Sequence, residues 1–193
     1  MSPVRGFVLM SRLEYFEMKY GAKKYREFLK IISVNEINFS RQTVDGSLIY
    51  PDITLATIDQ VLLKDYFDDL SEFRELGRWS AENFMYRFFS LYVEDSKPLD
   101  FLAQYARLRD YLVGSGEMTI HSIDENSVNV ITDFGQTIPK SVCLSEQGFL
   151  QSGMEQCGAS NIKINEKCCA SDSETFTCEF NINFDSIKKE NFK

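Results

Sequence analysis

Five cysteines, Cys143, Cys157, Cys168, Cys169 and Cys178, all fall in the last 51 residues of this 193-residue chain. Cys143 is followed 23 residues later by Glu166, which opens the run Glu166-x-x-Cys169, and Cys178 comes nine residues after that. Thiolate sulfur and carboxylate oxygen are ligand types that zinc takes in a tetrahedron, so Cys143, Glu166, Cys169 and Cys178 can close one four-ligand site. Four protein ligands leave no open position for water or substrate. Such a site would serve architecture rather than reaction chemistry.

Helix and strand periods limit which of these side chains can share an ion. Cys143 and Cys157 lie on one predicted helix, 14 residues apart, which is about 21 Å along its axis. They cannot share a metal, and Cys157 reads as a small buried apolar side chain. On the last predicted strand, Cys178 alternates in phase with Phe176, Phe180, Ile182 and Phe184, on the inner face. On the strand before it, Glu166 is in phase with Ile162 and Ile164. A carboxylate on an inner face is costly without a cationic partner. A metal would supply that partner, and a strand end that lets Glu166 reach water would remove the cost. Cys168 and Cys169 face opposite ways on a regular strand. Alternation favours Cys168, a turn starting near Lys167 favours Cys169, and periodicity leaves both open.

Other chemistry has less support. The chain holds one histidine, His121, on a predicted strand, where a sheet residue with a backbone partner is expected. A Ser-His-Asp or Cys-His arrangement would have to use it. No helix contains a histidine, which disfavours haem held by a helical histidine. No phosphate-loop, dinucleotide or His-Glu-x-x-His motif occurs. The reading is therefore of a protein that is not an enzyme. The acids Asp65, Asp68, Asp69, Glu72 and Glu75 read as a solvated face at a helix junction. Arg78 reads as the partner of a nearby acid, or with Trp79 as an interface anchor, and Trp79 reads equally as core or as a pocket wall. Trp79, Phe84, Phe88, Tyr92 and Tyr105 are the candidate lining of a pocket for a small apolar or aromatic ligand. They can equally fill a packed core.

The elements that must position these residues come helices first and strands last. Helical spacing predicts helices over 4–20, 22–32, 53–67, 70–93 and 98–114, with a long loop or short strand pair over 33–51. The second half of the fourth helix is apolar nearly all round, which predicts burial. Alternation then predicts strands over 118–123 and 128–132, a helix over 141–157, and strands over 161–168 and 176–184. The expected fold is α+β: N-terminal helices on a small antiparallel sheet, with a C-terminal helix-hairpin zinc subdomain over 136–184. One domain is expected over 1–187, with a frayed tail over 188–193. Apolar residues make up 44% of the chain and aromatics 13%, a globular composition. A formal net charge of −8 argues against nucleic-acid binding. With no apolar run of about 20 residues, no membrane span is expected. The N-terminus does not read as a signal peptide, so a cytoplasmic protein without structural disulfides is expected.

The segment CLSEQGFLQSGMEQCGASNIKINEKCCASDSETFTCEF, residues 143–180, resembles the end of the vinyl-4-reductase-like (V4R) domain. That family shows a Cys, a helix with a Gly, then Glu-x-x-Cys and a further Cys-x-Phe on a closing hairpin. Its fold is similar to those of the haem–NO sensor domains and the TRAPP tethering subunits. In phenol-sensing transcription activators of the family the Cys/Glu/Cys/Cys set binds structural zinc. The resemblance thus implies zinc on Cys143, Glu166, Cys169 and Cys178, settling the choice between Cys168 and Cys169. VRGFVLMSRLEYFEMKYG and LGRWSAENF resemble an uncharacterised family best known from bacteria of the myxobacterial group, over most of the chain. The implied function is a sensor-like ligand-binding domain that signals through a homodimer or a partner protein. The alternative is a scaffold module similar to TRAPP subunits, with its interior filled.

Overall fold

The computed structural model describes residues 3–33, 43–88, 90, 97–114, 116–171 and 176–186. Helices come first. A short strand β1 (Val4–Arg5) leads into α1 (Gly6–Ser33), and β2 (Ile49–Tyr50) pairs back onto β1 with Val4 opposite Tyr50. The predicted loop over 33–51 thus contributes one strand of a pair. The predicted break between the first two helices is a kink within α1 at Gly21, whose φ of 79° belongs to the region glycine favours. Then follow α2 (Asp52–Asp65) and α3 (Glu72–Ser80). A π-helical turn spans Ala81–Met85, and α4 (Tyr86–Phe88) completes that run. Next comes α5 (Pro98–Leu112), with proline in its first turn, where a missing N–H costs nothing.

The expectation of one buried helix over 70–93 holds only as far as Met85. Phe84 and Met85 are buried, but Tyr86 is 75% exposed and Phe88 41%. The π-turn adds a residue to one turn and so rotates the face that follows it. Phe89 and residues 91–96, with the candidate Tyr92, lie outside the described residues, as does the tail over 188–193.

The C-terminal half is β3 (Glu117–Asp124), β4 (Ser127–Asp133), α6 (Lys140–Gln156), β5 (Ala159–Cys168) and β6 (Thr177–Ser186). The strands form an antiparallel sheet in the order β3-β4-β6-β5. Alternation assigns the faces of β4 and β6 correctly, with Val128, Val130, Cys178, Phe180, Ile182 and Phe184 buried on one side, but Phe176, expected inside with them, precedes β6 and is 50% exposed. The architecture is mixed α+β, helices with small antiparallel sheets.

Two apolar clusters result. One gathers Leu9, Leu13, Phe16, Phe28, Ile58, Leu62, Phe73 and Leu76 from α1, α2 and α3. The other gathers Phe101, Leu102, Val130, Leu150, Met154 and Phe180 from α5, α6 and the sheet. Helix α6 serves both, since Leu144 belongs to the first and Cys143 to the second. No helix among the described residues is long and apolar enough to cross a membrane.

Candidate functional site

Three of the four predicted metal ligands converge. Cys143 sits in the first turn of α6, Cys169 just beyond the end of β5, and Cys178 on β6 opposite Thr132. All three are buried, and their sulfur atoms lie within 4.8 Å of one another. The Sγ atoms of Cys143 and Cys178 are in direct contact. Cys169 Sγ lies 2.8 Å from Cys143 Sγ and 4.0 Å from Cys178 Sγ. The Ala170 amide donates to Cys178 Sγ at 3.3 Å and the Ser171 hydroxyl to Cys169 Sγ at 3.1 Å.

A β-bulge decides between the neighbouring cysteines. The pairing of β5 with β6 shifts between Glu166 and Cys168, which resets the alternation. Cys168 consequently turns outward, where its thiol donates to the Thr177 carbonyl at 3.3 Å. Its pKa is raised, first by burial and then by the charge of Glu179. Cys157 is buried just past the end of α6, away from the group.

Glu166 does not join the three sulfurs. Alternation puts it on the side of the sheet that α6 covers, but β5 is the edge strand, so the carboxylate runs outward along the helix. There it accepts from Lys140 Nζ at 2.5 Å and from Gln147 Nε2 at 2.6 Å. Both of its oxygens are engaged and its side chain is 28% exposed. Burial works against the charge of Lys140, yet its hydrogen bonds to Glu166 and Cys169 leave its pKa above the ordinary lysine value. Lys140 therefore links Glu166 to the sulfur group.

A second site lies between the two apolar clusters. A cavity of about 130 Å³, open on one side, is lined by residues of α1, α2, α3, the π-turn, α5 and α6, with Phe134. Of the predicted pocket residues, Phe84 and Tyr105 line it. Trp79 instead packs among the N-terminal helices, edge-on to Tyr15 at 5.9 Å, and Phe88 sits outside against Phe7. Arg78 pairs with Glu155 at 2.8 Å. Tyr105 stacks on Phe149 with ring centres 4.8 Å apart.

The cavity also carries charge that the sequence reading missed. Arg109, 1% exposed, pairs with Glu146 at 3.0 Å and lies over the Phe134 ring at 4.7 Å. Arg12 donates to Asp59 at 2.8 Å, and Asp59 also accepts from the Ser141 hydroxyl at 2.7 Å. Burial, and next the Glu146 charge, push the Tyr105 hydroxyl far above the usual tyrosine range. Spacing held the signal. Arg12 lies three residues after Leu9, Arg109 four after Tyr105, and Glu146 four before Leu150, so each shares the buried stripe of its helix.

Comparison with solved structures fits this arrangement over nearly its whole length. An oxygen-binding H-NOX domain related to soluble guanylate cyclases superposes with a TM-score of 0.73 at 12% identity, covering 98% of this chain and 100% of that one. The fold is that of H-NOX domains. An H-NOX protein from S. oneidensis in the Fe(II) ligation state gives a TM-score of 0.73 at 11% identity, over 96% of this chain and 98% of that one. An Fe(II) unliganded H-NOX protein from K. algicida gives 0.69 at 14%, over 98% and 100%. At such identities the H-NOX likeness is one of fold. No family model matches the chain, and no curated protein matches it. The expected fold kinship with haem–NO sensor domains is met by these H-NOX neighbours, whereas the vinyl-4-reductase-like assignment gains no support from sequence comparison.

Proposed function

We propose that this chain is a non-enzymatic, sensor-like domain that binds a small, largely apolar molecule in the cavity between its two apolar clusters. The observation that carries the reading is the cavity itself. A packed protein interior leaves few voids larger than a water molecule, and this one is about 130 Å³ with Phe84, Phe149, Met85 and Val142 in its walls. A scaffold module with a filled interior would lack it. Native mass spectrometry of the purified protein tests the reading. A co-purifying small apolar mass is expected, and a clean apo mass that takes up no benzene-sized probe would sink it.

Haem, which the H-NOX likeness brings to mind, does not fit these residues. The single histidine, His121, is exposed on β3 and absent from the cavity wall. Tyrosine can ligate haem iron, but Tyr105, the tyrosine in the wall, is buried and stacked on the Phe149 ring at 4.8 Å. The space matches a benzene-sized molecule, for an apolar cavity of roughly 150 Å³ takes up benzene. Haemin added to the purified chain should therefore give no Soret band of a ligated haem.

The proposal includes structural zinc on Cys143, Cys169 and Cys178. Three buried sulfurs in one small volume, with N–H and O–H donors turned to them, form the kind of soft donor set that zinc takes. Glu166 acts here through Lys140 rather than as a direct ligand. A second reading rests on the sulfur contact of Cys143 with Cys178, which also suits an oxidised pair. Elemental analysis with a thiol titration separates the two: one zinc and five thiols per unfolded chain, or no zinc and three thiols. Any signal passes through a homodimer or a partner protein, and light scattering with and without ligand tests that step.

A further inference from the structure

We infer that the cavity takes a hydrocarbon about the size of benzene and turns away the same molecule once it carries a hydroxyl or an amine. The inference rests on the ligand-binding reading above and narrows it, from a largely apolar ligand to one with no polar group.

The polar side chains around the cavity carry it, because they are turned onto other parts of the protein. Arg12 engages all three guanidinium nitrogens. Its Nε donates to Asp59 Oδ1 at 2.8 Å, its Nη2 lies 3.4 Å from both Asp59 Oδ2 and Ser145 Oγ, and its Nη1 donates to the Val8 carbonyl at 3.4 Å. The Ser11 hydroxyl donates to that same carbonyl at 2.9 Å. Arg109 Nε donates to Glu146 Oε1 at 3.0 Å, and its guanidinium lies over the Phe134 ring. The Tyr105 hydroxyl is hydrogen-bonded to Glu146. Ser80 Oγ, Glu146 Oε2 and Arg109 Nη2 are buried with almost no accessible surface, so a molecule in the cavity does not touch them. The lining residues that are only half-buried are all apolar: Phe7, Val8, Leu112, Val113, Val142 and Phe149.

This wall sets the ligand class. A hydroxyl or amine brought against it gives up its hydrogen bonds to water and finds none in return. A hydrocarbon has no such bonds to lose and gains from leaving water. Charge points the same way. Arg12 is balanced by Asp59 and Arg109 by Glu146, so an ionic ligand would enter as an uncompensated buried charge, which is strongly unfavourable. The Phe149 ring, stacked on Tyr105, adds a flat apolar surface suited to a ring.

The test is calorimetric titration of the full chain with toluene, phenol and aniline, neutral molecules of nearly one shape. Toluene should bind roughly tenfold more tightly than phenol or aniline, the factor that one unpartnered polar group supplies. Val142→Thr keeps the shape of a half-buried wall residue and adds a hydroxyl, and should shrink that preference to about threefold. Phenol or aniline binding as tightly as toluene to the unaltered chain would overturn this inference while leaving the ligand-binding reading intact. Binding of none of the three would overturn both.

Discussion

Gly77 of α3 and Gly148 of α6 mark a crossing where two helix backbones touch. A Cβ on Gly77 would lie 2.0 Å from the Ser145 carbonyl oxygen, and one on Gly148 1.9 Å from that of Arg74. Neither neighbour is a side chain that can swing away. The contact fixes the distance between the helices that carry Ser80 and Glu146.

Alanine at Gly148 is therefore expected to destabilise the protein despite its better helix propensity. Separating two backbones costs about 1–3 kcal/mol, against a gain of roughly 1 kcal/mol from replacing a helical glycine. Gly21→Ala is the contrasting case: nothing lies within 4 Å of that Cβ, but φ is 79°. With ψ at 164° this backbone is nearly glycine-only, so the change should cost about 1–3 kcal/mol through strain alone. Thermal unfolding measures both. A stabilised Gly148→Ala protein would show that the crossing is not tight.

The Arg12–Asp59 pair predicts a larger effect. Both residues are 4% exposed. Asp59→Ala leaves a buried guanidinium without its carboxylate and should cost about 3–5 kcal/mol, whereas replacing both residues with apolar ones of similar volume should recover most of it. Denaturant titration of the single and double variants checks this.

For the sulfur group, Cys143→Ser, Cys169→Ser and Cys178→Ser should each abolish bound zinc and lower Tm by on the order of 10 °C. Cys157→Ala and Cys168→Ser should keep the metal. Glu166→Gln should also keep it and change stability by less than about 1 kcal/mol, since its ion pair with Lys140 is part-exposed. Zinc content and melting temperature across the six variants decide. Loss of zinc in Glu166→Gln would restore the carboxylate as a direct ligand.

At alkaline pH two buried tyrosines should weaken the fold. Burial raises the Tyr15 pKa from 10.0 to about 12, with Lys19 opposing and Glu72 adding to the shift, and Tyr105 is raised further. Between these folded values and the unfolded value near 10.0, the unfolded chain has lost protons that the folded chain retains. Stability is then unaffected by these groups below pH 10. It falls as pH rises from there toward 12 and, through Tyr105, beyond. Tyr15→Phe and Tyr105→Phe should each flatten the decline. Unfolding measured across that range, with phenolate absorbance as the monitor, tests the sign.

Local patterns carried most of the fold. The breaks at Gly21 and Pro98, the strand pair around Asp124–Asn126 and the helix over 141–157 all came from spacing and punctuation. The π-turn did not, because nothing local separates AENFM from an α-helical stretch. The sulfur group was legible as a set of residues, but its membership hinged on a bulge. One inserted residue in β5 turned Cys168 out, and the edge position of β5 carried Glu166 away to Lys140. Arg12, Arg109 and Glu146 were not legible as a site. A charged residue on an apolar stripe has meaning only once its partner, 47 or 37 residues distant, is in place.

The π-turn at Ala81–Met85 has a consequence for how this chain tolerates length change. Each residue turns a helix by about 100°, so a single-residue deletion there would restore α-helical phase and swing everything after it around the axis. The indole of Trp79 would stay among the N-terminal helices while the side chains that follow the turn faced a different quarter. That short segment acts as a gear tooth: the two halves of one continuous helix mesh with different neighbours because of it, and a one-codon loss would unmesh them without altering any side chain that touches the cavity from α5 or α6.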